Sequence, residues 1–345
     1  YIGLFAGVAL ILAQGPILAA AFWIAPASGE VESLAETYTR IRILSAPAAI
    51  ALYGITGWLI AKERTGAVLV LQLWMNGLNI LLDLWFVLGL GWGVGGVAWA
   101  TFLAEWSGLA LGLWYSREVF ARPAWRALET LLQRAKLLRL MAVSTDILIR
   151  SVLLMAAFTS FLFLSARFDD VTLAANQVLM QFVQFTSFGL DGFAFAAEAL
   201  VAQTLGAGRA GALRRASVIA GLWAVGTAVC LALGFWALGG VIIDLMTTSE
   251  AVRGAARTYL PWLVLMPLLS VGSYVLDGIF IGATRTRDMR NMMVLAFLTY
   301  GLAVAALMGP YGNHGLWAAI SIFFVARGVT LAWRYPRVEA AAGLA

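Results

Sequence analysis

Apolar residues run along this chain in ten blocks, at 1–24, 39–61, 66–89, 93–115, 139–165, 171–205, 213–240, 255–284, 291–309 and 313–334. Each is long enough to cross a hydrocarbon layer of about 30 Å, which takes about 20 helical residues. The pattern predicts an all-α integral membrane protein. The sixth block exceeds what a perpendicular helix needs, so a kink, a tilt or an extension beyond the membrane is expected. Polar residues between the blocks are sorted by charge. One set of loops holds Lys62 and Arg64; Arg117, Arg122, Arg126, Arg134, Lys136 and Arg139; Arg209, Arg214 and Arg215; Arg285, Arg287 and Arg290; and Arg334 and Arg337, sixteen basic residues in all. The opposite set holds Arg167, Arg253 and Arg257, with Arg40 and Arg42 at the mouth of a helix. This asymmetry assigns the basic loops, and with an even number of spans both chain ends, to the cytoplasmic side of a bacterial-type inner membrane.

The pattern also repeats. Gly57-Trp58-Leu59-Ile60-Ala61 with Arg64-Thr65 returns as Gly278-Ile279-Phe280-Ile281-Gly282 with Arg285-Thr286. Gly93-Val94-Gly95-Gly96-Val97 returns as Gly312-Asn313-His314-Gly315-Leu316, and Trp114-Tyr115 is answered by Trp333-Arg334-Tyr335. Paired repeats are a construction rule of secondary transporters. At this offset residue 1 matches about residue 220, so the blocks at 139–165 and 171–205 have no counterpart in the first half. The expectation is a twelve-helix, two-lobe protein of which ten helices are visible, with about 80 residues and two helices ahead of Tyr1. A chain lacking them is expected to be unstable and inactive. The organisation read from this is an incomplete N-terminal lobe at 1–115, a linker at 116–138, a C-terminal lobe at 139–335 and a tail at 336–345. In the linker, Trp125, Leu128, Leu131 and Leu132 alternate with Arg126, Arg134 and Lys136, which predicts an amphipathic helix on the inner membrane surface.

Composition agrees: hydrophobic residues make up 62% and charged residues 12%, against about a quarter charged in soluble domains. The net charge of +5 is explained by topology, and no nucleic-acid partner is expected. Cys230 lies in an apolar run and reads as a small core residue. His314 is the only histidine and falls in an outer loop, which leaves an intramembrane hydrolase without a base or metal ligands. There is no Gly-x-x-x-x-Gly-Lys-Ser/Thr sequence for ATP. The chain therefore reads as no enzyme, with no cofactor other than a coupling ion, H⁺ or Na⁺.

Chemistry should sit where charge is placed inside the membrane, since burying it there costs about 2.5–3.5 kcal/mol on the mildest scale. Six carboxylates qualify: Asp83, Glu105, Asp146, Asp191, Glu198 and Asp277. Asn76, Asn79 and Asp83 share one helical face, and the next helix brings Thr101 to a similar depth, roughly 9–12 Å from the outer helix ends. A carboxylate with neighbouring amide and hydroxyl oxygens can hold a proton or a dehydrated Na⁺. The alternative is a hydrogen-bond cluster that only packs the bundle. Asp146 and Arg150, four apart, are expected to neutralise each other within one helix. Gln177, Gln181, Gln184 and Asp191 form one stripe, with Asn176 beside it and Glu198 a heptad beyond; such a stripe lines a cavity or a polar seam. Asp277 is a gate or a packing hydrogen bond. Spacing gives Glu105 and Arg327 no partner. Pro47 and Pro267 occupy matching positions and can kink their helices.

The chain resembles the DinF-like branch of the multidrug and toxic compound extrusion (MATE) family. The resemblance rests on Asp146-Ile147-Leu148-Ile149-Arg150, Ala174-Ala175-Asn176-Gln177-Val178-Leu179, Leu190-Asp191-Gly192-Phe193-Ala194 with Ala197-Glu198-Ala199-Leu200-Val201, and Leu276-Asp277-Gly278-Ile279-Phe280-Ile281-Gly282. In the first half it rests on Arg42-Ile43-Leu44-Ser45-Ala46-Pro47, Asn79-Ile80-Leu81-Leu82-Asp83 and Gly96-Val97-Ala98-Trp99-Ala100-Thr101. It implies two six-helix lobes around a cleft that opens alternately to either side. It also implies export of amphipathic, often cationic organic compounds by a monomer, driven by H⁺ or Na⁺. The coupling cluster of the branch falls on Asn79, Asp83 and Thr101, while its first-helix aspartate has no counterpart in this sequence. Two rival functions are a lipid-linked precursor flippase of the same superfamily and a membrane-embedded lipid-modifying enzyme.

Overall fold

The computed structural model describes residues 2–24, 29–121, 133–208, 210–341 and 343. Most of the linker, with Arg122, Trp125, Arg126, Leu128, Leu131 and Leu132, lies outside the described residues, as does Arg209. The chain divides into two compact units, residues 1–131 and 132–345. Among the described residues eight helical stretches are long and apolar enough to cross a membrane. Two features reconcile these with the ten blocks. The longest stretch, Thr286–Ala340, breaks at Gly312. Residues 2–24 form a further, interrupted helix.

In the first unit, α1 (Ile2–Leu12) and α2 (Gln14–Ile24) are separated at Ala13. Pro16 has no N–H to give to the Leu12 carbonyl, and the ladder lapses one turn before the ring. Helix α3 (Gly29–Arg42) passes through a 3₁₀ turn at Ile43–Ser45 into α4 (Ala46–Ala61), so Pro47 stands in a first helical turn, where its missing N–H costs nothing. Helix α5 (Thr65–Asp83) runs into a π-helical turn at Leu84–Gly89, and α6 (Gly93–Tyr115) and the short α7 (Arg117–Phe120) follow. Small residues at every fourth position of α6, Gly96, Ala100, Ala104, Gly108 and Gly112, are all buried and let neighbouring helices approach closely.

The second unit comprises α8 (Arg134–Ser165), α9 (Asp170–Gly206), α10 (Ala210–Met246), α11 (Glu250–Gly282), α12 (Thr286–Arg334) and α13 (Pro336–Ala341). Asp169 caps α9: its carboxylate accepts from the Thr172 amide at 2.8 Å and the Thr172 hydroxyl at 2.7 Å, which holds it below the usual carboxylate range. Phe161, Phe280, Trp317, Phe323 and Phe324 fill the core of the unit. Pro267 is accommodated inside α11 without ending it. Cys230 is exposed rather than a core residue; it faces away from the alanine ridge Ala220, Ala224, Ala228 and Ala232 that α10 turns inward.

The repeat read in the sequence is also a repeat of backbone. In the first unit Glu63 (φ 59°) follows α4 and Arg64 precedes α5; in the second, Thr284 (φ 54°) follows α11 and Arg285 precedes α12. The hydrogen bonds match one for one. Arg64 N–H donates to the Leu59 carbonyl and Arg285 N–H to the Phe280 carbonyl, at 2.9 and 2.8 Å. Gly93 (φ 53°) and Gly312 (φ 56°) correspond too, both in the left-handed region that favours glycine. The repeated Gly57 and Gly278 nevertheless differ in use. A Cβ on Gly278 would sit 2.1 Å from the Ala194 carbonyl oxygen, and one on Gly282 would sit 2.3 Å from that of Glu198, whereas Gly57 faces open space. Gly278-x-x-x-Gly282 is thus the contact by which α11 lies on the backbone of α9. Gly278→Ala is expected to destabilise the protein by about 1–3 kcal/mol, and Gly57→Ala by far less. Thermal unfolding of the two variants in detergent checks this; equal midpoints would refute the contact.

Candidate functional site

In the first unit the structure brings together part of the predicted cluster. Asn79 on α5 donates its amide to Thr101 Oγ1 on α6 at 3.4 Å, and Thr101 in turn donates to the Val97 carbonyl at 3.0 Å. Asp83, one turn beyond Asn79, is half-buried, and its Oδ1 is shielded from solvent with no hydrogen-bond partner among the described residues. It is the last residue of α5 before the π turn, a rare geometry that recurs at functional sites. Asn76 is exposed and shares no hydrogen bond with Asn79, Asp83 or Thr101. Glu105, for which spacing supplied no partner, binds Arg42 in a bidentate pair at 2.7 and 2.8 Å, and Arg42 also reaches Ser45. That pair ties α6 to the α3–α4 junction and neutralises both charges.

In the second unit Gln177, Gln181 and Gln184 line one wall of a cavity of about 650 Å³. Phe158 and Phe163 on α8 and Met180 and Ser187 on α9 supply the rest of its character. The wall carries amide and hydroxyl groups on an aromatic and aliphatic surface, with no charged residue among those lining it. The other members of the predicted cleft lie elsewhere. Asn176 is fully buried in a seam. Its amide donates to Ser165 and Asn313, both at 2.7 Å, and its carbonyl accepts from Trp317 at 2.9 Å. One residue along a helix is about 100° of rotation, which turns Asn176 from the glutamine wall into the core. Asp191 and Glu198 are half-buried and do not line the cavity.

The predicted Asp146–Arg150 pair also requires correction, and Asp277 is engaged between helices rather than lining the cavity. The two α8 residues do not pair with each other. Arg150 donates to Asp277 Oδ2 at 2.8 Å, and Arg327 donates to the same oxygen at 2.7 Å. Asp146 instead accepts from Arg290 at 2.6 Å and from Thr286 at 2.9 Å. The i,i+4 pairing loses because each side chain finds an oppositely charged partner on another helix, aimed inward where desolvation makes the contact stronger. Asp277 is therefore the anion between two guanidinium groups. Arg327 is 1% exposed, with its guanidinium packed against the rings of Tyr274, Phe323 and Phe324. Tyr274 also shares a hydrogen bond with Ser187 of the cavity wall. A continuous path, Ser187–Tyr274–Arg327–Asp277–Arg150, thus connects the cavity to the ion network.

Comparison with known proteins places this architecture. The family model MatE matches residues 147–330. The chain is 38% identical over 350 residues to DNA damage-inducible protein F of Escherichia coli (strain K12), covering 95% of this chain and 72% of that protein. Among solved structures, MATE in complex with MaD3S superimposes with a TM-score of 0.88 at 20% identity, over 99% of this chain and 77% of that one. A MATE transporter of Vibrio cholerae gives 0.85 at 19% identity, over 97% and 76% of the two chains.

Proposed function

Because the chain belongs to the MATE family of transporters, we propose that it is a secondary active antiporter that exports amphipathic, often cationic organic compounds in exchange for H⁺ or Na⁺. It is a multi-pass membrane protein. The cavity beside Gln177, Gln181 and Gln184 carries the proposal. Its volume of about 650 Å³ lies within the range of small-molecule sites, and its aromatic surface with sparse amide donors and acceptors suits an apolar body bearing a diffuse charge. A cation can leave such a wall because no carboxylate there holds it. Asp83, with Asn79 and Thr101, is the proposed coupling site. Its unpartnered Oδ1 leaves a lone pair free for H⁺ or Na⁺. The proposal includes a monomer that works by alternating access in an inner membrane, with the basic loops and both ends of the chain in the cytoplasm.

A precursor flippase would need free cationic groups for a pyrophosphate, and the two arginines inside the spans of the second unit, Arg150 and Arg327, are both committed to Asp277. The test uses cysteines at Gln181 and Gln184 in a Cys230→Ser background, in proteoliposomes that also report movement of a fluorescent organic cation. Both cysteines should react with water-soluble thiol reagents, the cation should slow the reaction, and an ion gradient should drive the cation uphill. Protected cysteines would mean that the wall is a buried seam, and an unmoved cation would refute export.

A further inference from the structure

A second cavity, of about 440 Å³, lies within the second unit where α8 begins and α11 turns into α12. One side is Leu138, Arg139, Ala142 and Val143; the other is the turn and first helical residues from Thr284 to Asp288. Three arginines line it: Arg139, Arg285 and Arg287. Both carboxylates in the wall are already engaged, Asp146 by Arg290 at 2.6 Å and Asp288 by Arg337 at 3.3 Å. Arg139 and Arg287 have no ion pair or hydrogen bond among the described residues, and Arg285 reaches only the Arg337 carbonyl, at 3.4 Å. The repeat sharpens the point. Arg64, which occupies the position of Arg285 in the first unit, is neutralised by Glu118 at 2.9 Å. Among the described residues the second unit supplies Arg285 with no carboxylate. The first turn of α12 adds backbone amides, since Arg285 at its N-cap makes no side-chain cap and the Thr286 hydroxyl is turned to Asp146.

We propose that this cavity binds the phosphate headgroup of an anionic phospholipid. The positive charge selects a phosphate, and guanidinium groups match its oxygens in paired hydrogen bonds. The surroundings select a lipid over a free ion. Arg139 is flanked by Leu138, Leu140 and Met141, exposed by 55%, 52% and 64%, an apolar strip on which acyl chains can lie. Helix α8 changes there from the basic Arg134, Lys136 and Arg139 to an apolar run, so the cavity stands at headgroup depth on the side of the basic loops. Basic pockets between membrane helices hold anionic headgroups in this way.

The test is native mass spectrometry of the chain taken from nanodiscs that contain phosphatidylglycerol or phosphatidylcholine. The wild type should retain phosphatidylglycerol in preference to phosphatidylcholine. The double variant Arg139→Gln with Arg287→Gln should weaken that binding by about thirtyfold, the sum for two cations at a charged surface. Arg215→Gln, an exposed arginine of the same side placed outside the cavity, should leave it unchanged, and Arg139→Lys, which keeps the charge and loses the paired hydrogen bonds, should weaken it by less than the double variant does. Equal retention of the two lipids, or equal loss in the double variant and Arg215→Gln, would overturn the proposal. Displacement of the lipid by inorganic phosphate at comparable concentration would overturn the lipid assignment and leave a free-anion site. None of these readings depends on transport.

Discussion

Asp83→Asn should abolish uphill export while leaving the protein folded. Asparagine has the volume of aspartate and can keep the packing at the α5–π junction, but it cannot take up and release a proton or neutralise Na⁺. Asp83 is well placed for that exchange. Its Oδ1 is shielded and lacks a hydrogen-bond donor among the described residues, so a coupling ion there would displace none of them. Asn79 and Thr101, already joined at 3.4 Å, would supply neutral oxygens beside it. The proteoliposome assay separates the outcomes: gradient-driven accumulation of the organic cation falls to background in Asp83→Asn, while the unfolding midpoint stays near that of the wild type. A smaller loss is expected for Thr101→Ala, which removes a ligand and not the charge. Normal uphill transport by Asp83→Asn would remove Asp83 from the coupling role.

The helices were legible in the sequence because a hydrocarbon layer demands unbroken apolar blocks, and the repeat was legible down to the turns at Glu63 and Thr284 and the glycines at 93 and 312. The glutamine wall was legible for the same geometric reason, since spacings of three and four keep Gln177, Gln181 and Gln184 on one face. What spacing within a helix does not carry is pairing between helices. Glu105 and Arg327 had no partner in the sequence, yet each is bound to a residue far away in the chain, Arg42 and Asp277. Asp146 and Arg150 were paired by proximity and belong to different clusters. One signal was available: an arginine inside a span needs an acid, and Arg327 has none three or four residues away in its own helix, so its partner had to come from another helix. The π turn after Asp83 had no such signal, because Leu84-Trp85-Phe86-Val87-Leu88 reads as ordinary apolar helix.

Asp277→Asn should be among the most destabilising single substitutions in the second unit, by about 3–5 kcal/mol. The side chain of Asp277 is 8% exposed, and its Oδ2 accepts from Arg150 and Arg327 together. Removing the negative charge leaves two guanidinium groups in an apolar bundle without an anion between them, and Arg327, 1% exposed, has no route to water. The complementary change is milder. Arg327→Met removes one cation and leaves Asp277 its bond to Arg150, so the loss should be smaller by about 1–2 kcal/mol, given the packing that methionine recovers among Tyr274, Phe323 and Phe324. Joining the two changes should recover part of the cost of Asp277→Asn, because only Arg150 is then unpaired. It is 18% exposed at the side chain and better able to reach solvent. Unfolding in detergent measures all three variants. Equal midpoints for the two single variants, or strict additivity in the double, would mean that the three groups are not energetically coupled. The readout extends to the cavity, since Tyr274 shares its hydroxyl bond with Ser187 and packs against Arg327. If the path from Asp277 to the wall is continuous, Arg327→Met should change the thiol reactivity of a cysteine at Gln184 while the fold survives. An unchanged rate would confine the ion network to a structural role.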